Sequence, residues 1–171
     1  MSKPFISICI PTYKRADLLK KLLDSICAQT FTDFEILIND NSPDDTVKDL
    51  VSEYEKILPI AYQKNEPAIS ATENCNKVMG RANADWIKIM HDDDWFAAND
   101  ALAQFADAAK KSGKDFIFCA SICKLCKRIV GSKPIIIMHN LYPIGICTAH
   151  NFIAVFCCRN CRLIFLISDG E

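Results

Sequence analysis

Three consecutive carboxylates follow an apolar segment near the middle of the chain. The segment WIKIM, residues 86–90, reads as a buried strand, and Asp92, Asp93 and Asp94 come directly after His91. Clustered carboxylates raise one another's proton affinity unless a cation neutralises them. Mg²⁺ and Mn²⁺ accept such oxygen ligands, and Mg²⁺ is typically held by one or two carboxylates plus substrate phosphates. Asp92 and Asp93 fit that arrangement. The alternative is a solvated loop in which Asp94 or Asn99 caps the next helix.

Strands and helices alternate through the first 120 residues. The predicted strands are 5–10, 34–40, 60–63, 86–90 and 116–120, and Pro11 is expected to end the first of them. Between them, apolar residues recur at helical spacing; the three stripes are Leu19, Leu22, Leu23 and Ile26, then Val47, Leu50, Val51 and Tyr54, then Leu102, Phe105, Ala106 and Ala109. Ser70 and Glu73 have the spacing of a capping box, which predicts a helix running to about Ala84. This alternation predicts an α/β fold, a three-layer α/β/α sandwich around a mostly parallel sheet.

Ligands of such sheets bind beyond the carboxyl ends of the strands. That rule selects three polar segments: PTYKR at 11–15, NDNS at 39–42 and HDDDW at 91–95. Each begins where an apolar strand stops. We therefore expect all three segments to line one crevice.

Composition excludes several classes of protein. The chain has 171 residues and a net charge of −1, which argues against nucleic-acid binding through phosphate neutralisation. The first residues lack the pattern of a signal peptide, and no apolar run reaches the roughly 18 residues of a membrane span. Neither Gly-x-Gly-x-x-Gly after the first strand nor a phosphate loop ending in Gly-Lys-Ser/Thr is present. We expect a cytoplasmic protein with reduced thiols.

The amino-acid composition of the chain changes after residue 120. Residues 116–168 contain no Asp or Glu, and seven of the ten cysteines fall between Cys119 and Cys161. We therefore divide the chain into a region 1–120 and an atypical cysteine-rich tail 121–171. The tail reads either as a metal-binding appendage or, the interpretation we favour, as sequence out of register with its gene; the fold is then incomplete at its C-terminus.

Thiol and imidazole groups of the tail offer two metal-centre hypotheses. The three-cysteine spacing of radical iron–sulfur enzymes occurs at Cys119, Cys123 and Cys126, but it straddles the predicted fifth strand instead of lying in a loop. Zinc is held by thiolate and imidazole ligands, and the candidates here are Cys157, Cys158, Cys161, His139 and His150.

The opening of the chain resembles that of inverting family 2 glycosyltransferases, whose catalytic domain has the GT-A fold. The resemblance rests on ISICIPTYKRADLLKKLLDSICAQTFTDFEILINDNSPDDT, residues 6–46, in which Gln29-Thr30, Phe34-Glu35 and Asp40-Asn41-Ser42 match in order and spacing. The family's Asp-X-Asp signature falls on His91-Asp92-Asp93, so a histidine replaces the first acid. The similarity extends over about residues 4–120.

This resemblance implies roles for residues in the three polar segments. Pro11, Thr12 and Tyr13 should contact the nucleotide, with Pro11 and Tyr13 forming the wall of the base pocket and Tyr13 stacking on the base. Asp40 should accept a hydrogen bond from a uracil-type base edge. Without the family, Tyr13 reads as a surface aromatic and Asp40 as a turn residue bonding its own backbone.

The resemblance also assigns the phosphate end of the site. Arg15 should approach the diphosphate, although by itself it reads as a solvated charge at a helix start. Asp92 should lie near the ribose, and Asp93 should ligate Mg²⁺ or Mn²⁺ bridging the two phosphates. His91 in the signature weakens the prediction of which metal binds and how tightly.

The implied reaction is metal-assisted and inverting. An acceptor hydroxyl attacks the sugar of a nucleotide sugar, with a UDP-sugar as the expected donor and a glycan, polysaccharide or lipid-linked molecule as the acceptor. Peripheral association with the inner face of a membrane is a further expectation. No catalytic base is identified, since the family places it in the later part of the domain and this chain has no acid between residues 116 and 168. The alternatives are an inactive nucleotide-sugar-binding fragment and a zinc-binding module.

Overall fold

The computed structural model describes residues 3–112, together with the backbone of 116–119 and 135–139. The strands are β1 (Ile6–Thr12), β2 (Phe34–Asp40), β3 (Ile60–Lys64), β4 (Trp86–Ile89), β5 (Phe116–Cys119) and β6 (Ile135–His139). The helices are α1 (Ala16–Cys27), α2 (Thr46–Tyr54), α3 (Ala71–Gly80) and α4 (Ala101–Ser112).

These six strands form one sheet in the order β3-β2-β1-β4-β6-β5. The first four are mutually parallel, whereas β6 runs antiparallel to both of its neighbours. The mostly parallel sheet is therefore confirmed. Strand β6 was not predicted; it lies within the segment 121–171 and joins the sheet at Trp86 and Ile87 of β4. Of the candidates for metal binding, Cys119 ends β5 and His139 ends β6, whereas Cys123, Cys126, His150, Cys157, Cys158 and Cys161 lie outside the described residues. The domain boundary at 120 stays a prediction.

Helices cover both faces of the sheet. Helices α1, α2 and α4 bury their apolar stripes against Ile6, Ile8 and Ile10 of β1, with which they form the larger core. Helix α3 packs on the opposite face, where Val78 meets Cys9. Alternate residues of β1 thus serve different cores, which is the reason for its nearly continuous apolar sequence. The predicted three-layer arrangement is confirmed.

Strand β1 continues through Pro11, contrary to the expectation that proline would end it. Proline lacks the N–H that a central strand donates to its neighbour. Cys9 accepts from the backbone of Met90, and main-chain groups two residues apart point to the same side of a strand. The side of Pro11 that lacks an N–H therefore faces β4, whose pairing with β1 stops at Cys9. No ladder bond is lost, so the strand reaches Thr12.

The capping box at the start of α3 is confirmed, but the helix is shorter than expected. Ser70 Oγ accepts from Glu73 N, and Glu73 Oε2 accepts from Ser70 N at 2.9 Å. The helix ends at Gly80 instead of Ala84: Arg81 N and Ala82 N still donate to helix carbonyls, but Asn83 N donates to Glu35 Oε1 of β2. Ala84 N donates to Ser7 Oγ, which draws the chain away from the helix toward β4.

Within the described ranges, no helix combines the length and the apolarity that crossing a membrane requires.

Candidate functional site

The loop after β1 wraps around the side chain of Asp92. Thr12 Oγ1 donates to Asp92 Oδ2 at 3.0 Å, and Tyr13 N approaches the same oxygen at 3.4 Å. Arg15 Nη1 donates to Asp92 Oδ1 at 3.2 Å. Asp92 is 5% exposed, so these donors replace most of the water that its carboxylate loses on burial. Two of the three predicted polar segments are thereby joined.

The same Arg15 nitrogen also contacts the next carboxylate. Arg15 Nη1 lies 3.2 Å from Asp93 Oδ2, so one guanidinium group bridges Asp92 and Asp93. The Arg15 side chain is 46% exposed and that of Asp93 is 28% exposed. The guanidinium charge of Arg15 therefore offsets part of the negative charge of Asp92 and Asp93.

Asp94, the third carboxylate, shapes the turn itself. Its Oδ2 accepts the backbone N–H of His91 at 3.1 Å, and its own N–H donates to the His91 carbonyl at 3.0 Å. These two bonds close a turn at the carboxyl end of β4. The turn sets the direction in which Asp92 and Asp93 leave the strand. Asp94 therefore has a different surrounding from its two neighbours.

Asp40 lies at the end of β2 and is completely buried. Its Oδ2 accepts from Tyr62 Oη at 2.8 Å, and its Oδ1 accepts from Ser42 N at 2.7 Å. The second bond is an Asx turn, the local pattern that Asp adopts in turns. Burial, and then the hydrogen bond to Asp40, raise the pKa of Tyr62 well above its ordinary value of 10. Tyr62 therefore remains a hydrogen-bond donor throughout the neutral range.

The β1 loop also reaches the turn after β2. Lys14 N donates to Ser42 Oγ at 2.8 Å, and Lys14 adopts a positive φ of 54° in order to make this turn. Thr12 and Asp40 are register partners in the paired strands. The ends of β2, β1 and β4 consequently form one continuous polar edge, as the sequence predicted.

Tyr13 and Pro11 differ in their exposure. Pro11 is buried in the strand, whereas Tyr13 is 51% exposed with its ring available to solvent. Lys14 Nζ lies 5.2 Å from the centroid of the Tyr13 ring. An exposed ring at this polar edge is suited to stacking on a planar ligand.

A cluster of buried amides, which the sequence did not reveal, supports the end of β2. Asn65 Nδ2 donates to Asn41 Oδ1 at 2.9 Å and to Asn74 Oδ1 at 2.8 Å. Lys77 Nζ donates to Asn65 Oδ1 at 2.8 Å. The cluster joins the ends of β2 and β3 to α3. It therefore holds the backbone at the end of β2, where Asp40 lies.

Gln29 holds the segment that follows the acidic turn. Its Nε2 donates to Ser25 O at 3.0 Å and to Ala98 O at 2.9 Å, while its Oε1 accepts from Leu102 N at 2.9 Å. Thr30 N donates to Asn99 O at 2.8 Å. The Gln-Thr pair, noted in the sequence only as part of a motif, therefore anchors the chain between β4 and α4.

Asp92 and Asp93 place two carboxylates side by side after β4, bridged by Arg15. Among the residues that the structure describes, no group of three or more His, Cys, Asp or Glu side chains is arranged to hold a metal ion. Asp92 and Asp93 do supply two hard oxygen donor groups at one place. Mg²⁺ and related ions take one or two protein carboxylates when substrate phosphates and water complete the shell. The donor set is suited to an ion that binds together with a phosphorylated ligand.

Comparison with known proteins covers most of this chain. A sequence profile of Glycosyl transferase family 2 matches residues 7–164. An abequosyltransferase from Salmonella typhimurium is 35% identical over 102 residues, which are 57% of this chain and 30% of that protein. The matched part of the chain therefore spans less than a third of the length of this relative.

Solved structures share the fold at low sequence identity. S. aureus TarS 1-349 in complex with UDP-GlcNAc superposes with a TM-score of 0.62 at 20% identity, covering 75% of this chain and 37% of that one. The mannosyltransferase PcManGT from Pyrobaculum calidifontis, in complex with GDP-Man and Mn²⁺, gives a TM-score of 0.58 at 19% identity, covering 72% and 36%. At this identity the likeness establishes the arrangement of strands and helices alone.

Proposed function

Because the chain belongs to glycosyl transferase family 2, we propose that it takes part in transferring a sugar from a nucleoside diphosphate sugar to an acceptor hydroxyl group. The GT-A fold class expected from the sequence is confirmed by the sheet and by its structural neighbours. The residue roles below are proposals that rest on the geometry of the polar edge.

One observation carries this proposal. Thr12 stands beside Asp40 in the strand register and bonds to Asp92, so a single residue connects the ends of three parallel strands. This edge combines an exposed aromatic ring, a buried carboxylate and a carboxylate pair bridged by Arg15. A nucleoside diphosphate can use the ring and the buried carboxylate for its base, and the carboxylate pair with Arg15 for its ribose and phosphates.

The nucleotide lies in this proposal along the carboxyl ends of β2, β1 and β4. Tyr13 stacks on the base, with Pro11 behind it, and Asp40 accepts a hydrogen bond from the base edge. Both oxygens of Asp40 accept hydrogen bonds in the structure, and a third such bond favours a base edge bearing an N–H group, such as that of uracil. UDP-GlcNAc in TarS supports a UDP-sugar donor. Asp92 takes the ribose.

Asp93, with Asp92 beside it, is proposed to hold Mg²⁺ or Mn²⁺ together with the diphosphate. The Mn²⁺ bound in PcManGT supports this choice of ion. When bound, such an ion offsets the negative charge that develops on the leaving phosphate oxygen. Arg15 adds a second positive charge at the same end of the crevice.

The acceptor hydroxyl group attacks the anomeric carbon from the side opposite the diphosphate, which inverts the configuration. Sugar transfer then needs a base for the hydroxyl proton, a contribution usually worth about 10²- to 10⁴-fold. None of the residues given roles here is assigned as that base. A glycan or lipid-linked acceptor, and action at the inner face of a membrane, follow from the family by analogy only.

Calorimetric titration of the full chain with UDP, GDP and ADP, with and without Mn²⁺, tests the proposal. We expect Mn²⁺ to increase the affinity of the wild type for UDP. In Asp93→Asn the affinity for UDP should no longer depend on Mn²⁺. Asp107→Asn, which removes an exposed carboxylate on α4 that pairs with Lys111, is the matched control. Failure of all three nucleotides to bind, or unchanged metal-dependent binding in Asp93→Asn, would refute the proposed site. Binding of a UDP-sugar without release of UDP in the presence of acceptors would instead favour a binding fragment.

A further inference from the structure

Arg15 places a positive charge against both carboxylates of the acidic pair. Its Nη1 is 3.2 Å from one oxygen of Asp92 and 3.2 Å from one oxygen of Asp93. We propose that Arg15 makes binding of the divalent cation conditional on binding of the diphosphate. This inference rests on the function proposed above and concerns how the two ligands of that site depend on each other.

A cation arriving alone faces two obstacles. It must displace or approach the guanidinium group that contacts both carboxylates, and a positive charge at a few ångströms repels it. It also finds few protein ligands, because the described residues offer no third His, Cys, Asp or Glu side chain for it. Binding of the free ion is therefore weak.

The diphosphate removes both obstacles. Its oxygens complete the coordination shell of the cation, and they also give Arg15 an alternative anionic partner. A guanidinium group matches phosphate oxygens in a bidentate manner, which makes the exchange favourable. The diphosphate by itself meets the reverse problem, since Asp92 and Asp93 repel it while they hold Arg15. Each ligand therefore increases the affinity of the other, by the same factor.

The geometry allows Arg15 to change partners without damage to the fold. Its side chain is 46% exposed, while its backbone is fixed because its carbonyl accepts from Leu18 N and Leu19 N at the start of α1. When Arg15 leaves, Asp92 Oδ2 keeps its contacts with Thr12 Oγ1 and Tyr13 N. The more buried carboxylate is not left without donors.

Three titrations of the full chain measure this dependence: Mn²⁺ alone, UDP alone, and Mn²⁺ in the presence of saturating UDP. In the wild type we expect UDP to raise the Mn²⁺ affinity by a factor in the range of about 5 to 150. Arg15→Met should bind Mn²⁺ alone more tightly than the wild type. UDP should then raise that affinity by a smaller factor than in the wild type, because only the incomplete coordination shell remains for it to relieve. Arg15→Lys keeps the charge but loses the bidentate geometry, and should bind Mn²⁺ alone as weakly as the wild type.

Lys14→Met is the matched control for loss of one positive charge. The Lys14 ammonium lies over the Tyr13 ring, one residue away from Arg15. It should leave the affinity for Mn²⁺ alone close to that of the wild type. Circular dichroism verifies that each variant is folded before titration.

The outcomes separate this inference from the proposed function. Suppose that the wild type binds UDP with Mn²⁺, and that UDP raises the Mn²⁺ affinity of Arg15→Met by the same factor as that of the wild type. The inference is then wrong and the function stands. An equal gain in Mn²⁺ affinity in Lys14→Met and Arg15→Met also overturns it, since general charge would then be the cause. If the wild type binds neither UDP nor Mn²⁺, the inference and the function fall together.

Discussion

Replacing Tyr62 with phenylalanine tests how much the buried Asp40 depends on its donors. The change removes only the hydroxyl group that donates to Asp40 Oδ2 at 2.8 Å. Asp40 is 0% exposed, so water does not readily take the place of the lost donor, and Ser42 N remains on the other oxygen. A hydrogen bond to a charged group contributes about 1.5–3 kcal/mol, and we expect the free energy of unfolding to fall by about 2 kcal/mol.

Urea denaturation followed by circular dichroism measures this loss. With a urea dependence of about 1–3 kcal/mol per molar for a small protein, the midpoint should fall by roughly 1 M. Tyr54→Phe is the matched control, because the Tyr54 hydroxyl donates to Asp24, whose side chain is 54% exposed. Interactions with exposed charges are worth less than about 1 kcal/mol, so the control should move the midpoint only slightly.

The comparison between the two variants decides the matter. If Tyr62→Phe costs no more than Tyr54→Phe, burial of Asp40 does not strengthen its hydrogen bond and the reasoning is wrong. A large loss of stability with unchanged affinity for UDP would show that Tyr62 supports the fold without positioning Asp40 for the nucleotide.

Three further predictions concern the supports of the site. Gln29→Ala removes three hydrogen bonds and should lower the free energy of unfolding by about 2 kcal/mol in urea titration; a loss below about 0.5 kcal/mol would mean that water replaces them. Ser70→Ala removes the cap of α3 and should cost about 1 kcal/mol in the same assay, and an unchanged midpoint would contradict the capping argument. Burial raises the pKa of the Cys9 thiol to about 12. Iodoacetamide should therefore label the exposed Cys27 in the native protein and spare Cys9; equal labelling by mass spectrometry would show that the core opens on the timescale of the reaction.

Most of the elements could be predicted because their causes are local. The apolar stripe from Leu19 to Ile26 repeats with the period of a helix, and all four of its members are buried in α1. The capping box at Ser70 and Glu73 involves residues three apart, so its spacing alone is informative. The sheet order β3-β2-β1-β4 then follows the usual pairing of parallel strands joined by helices.

Two features of the fold needed the tertiary structure. Strand β6 lies in sequence without any periodicity, and it becomes a strand by pairing with β4 and β5. The continuation of β1 through Pro11 depends on β4 ending its pairing at Cys9, which no local pattern of β1 records. In both cases the deciding neighbour is distant along the chain.

The amino-acid sequence by itself determined which carboxylates stand at the strand ends, since Asp40, Asp92 and Asp93 each follow an apolar run. Only the tertiary structure decided what those carboxylates contact. Thr12 reaches Asp92 across 80 positions and Tyr62 reaches Asp40 across 22, so the sequence contains no spacing that pairs them. The position of a polar residue at the end of a strand is local information, whereas its hydrogen-bond partner is set by the order in which the strands assemble.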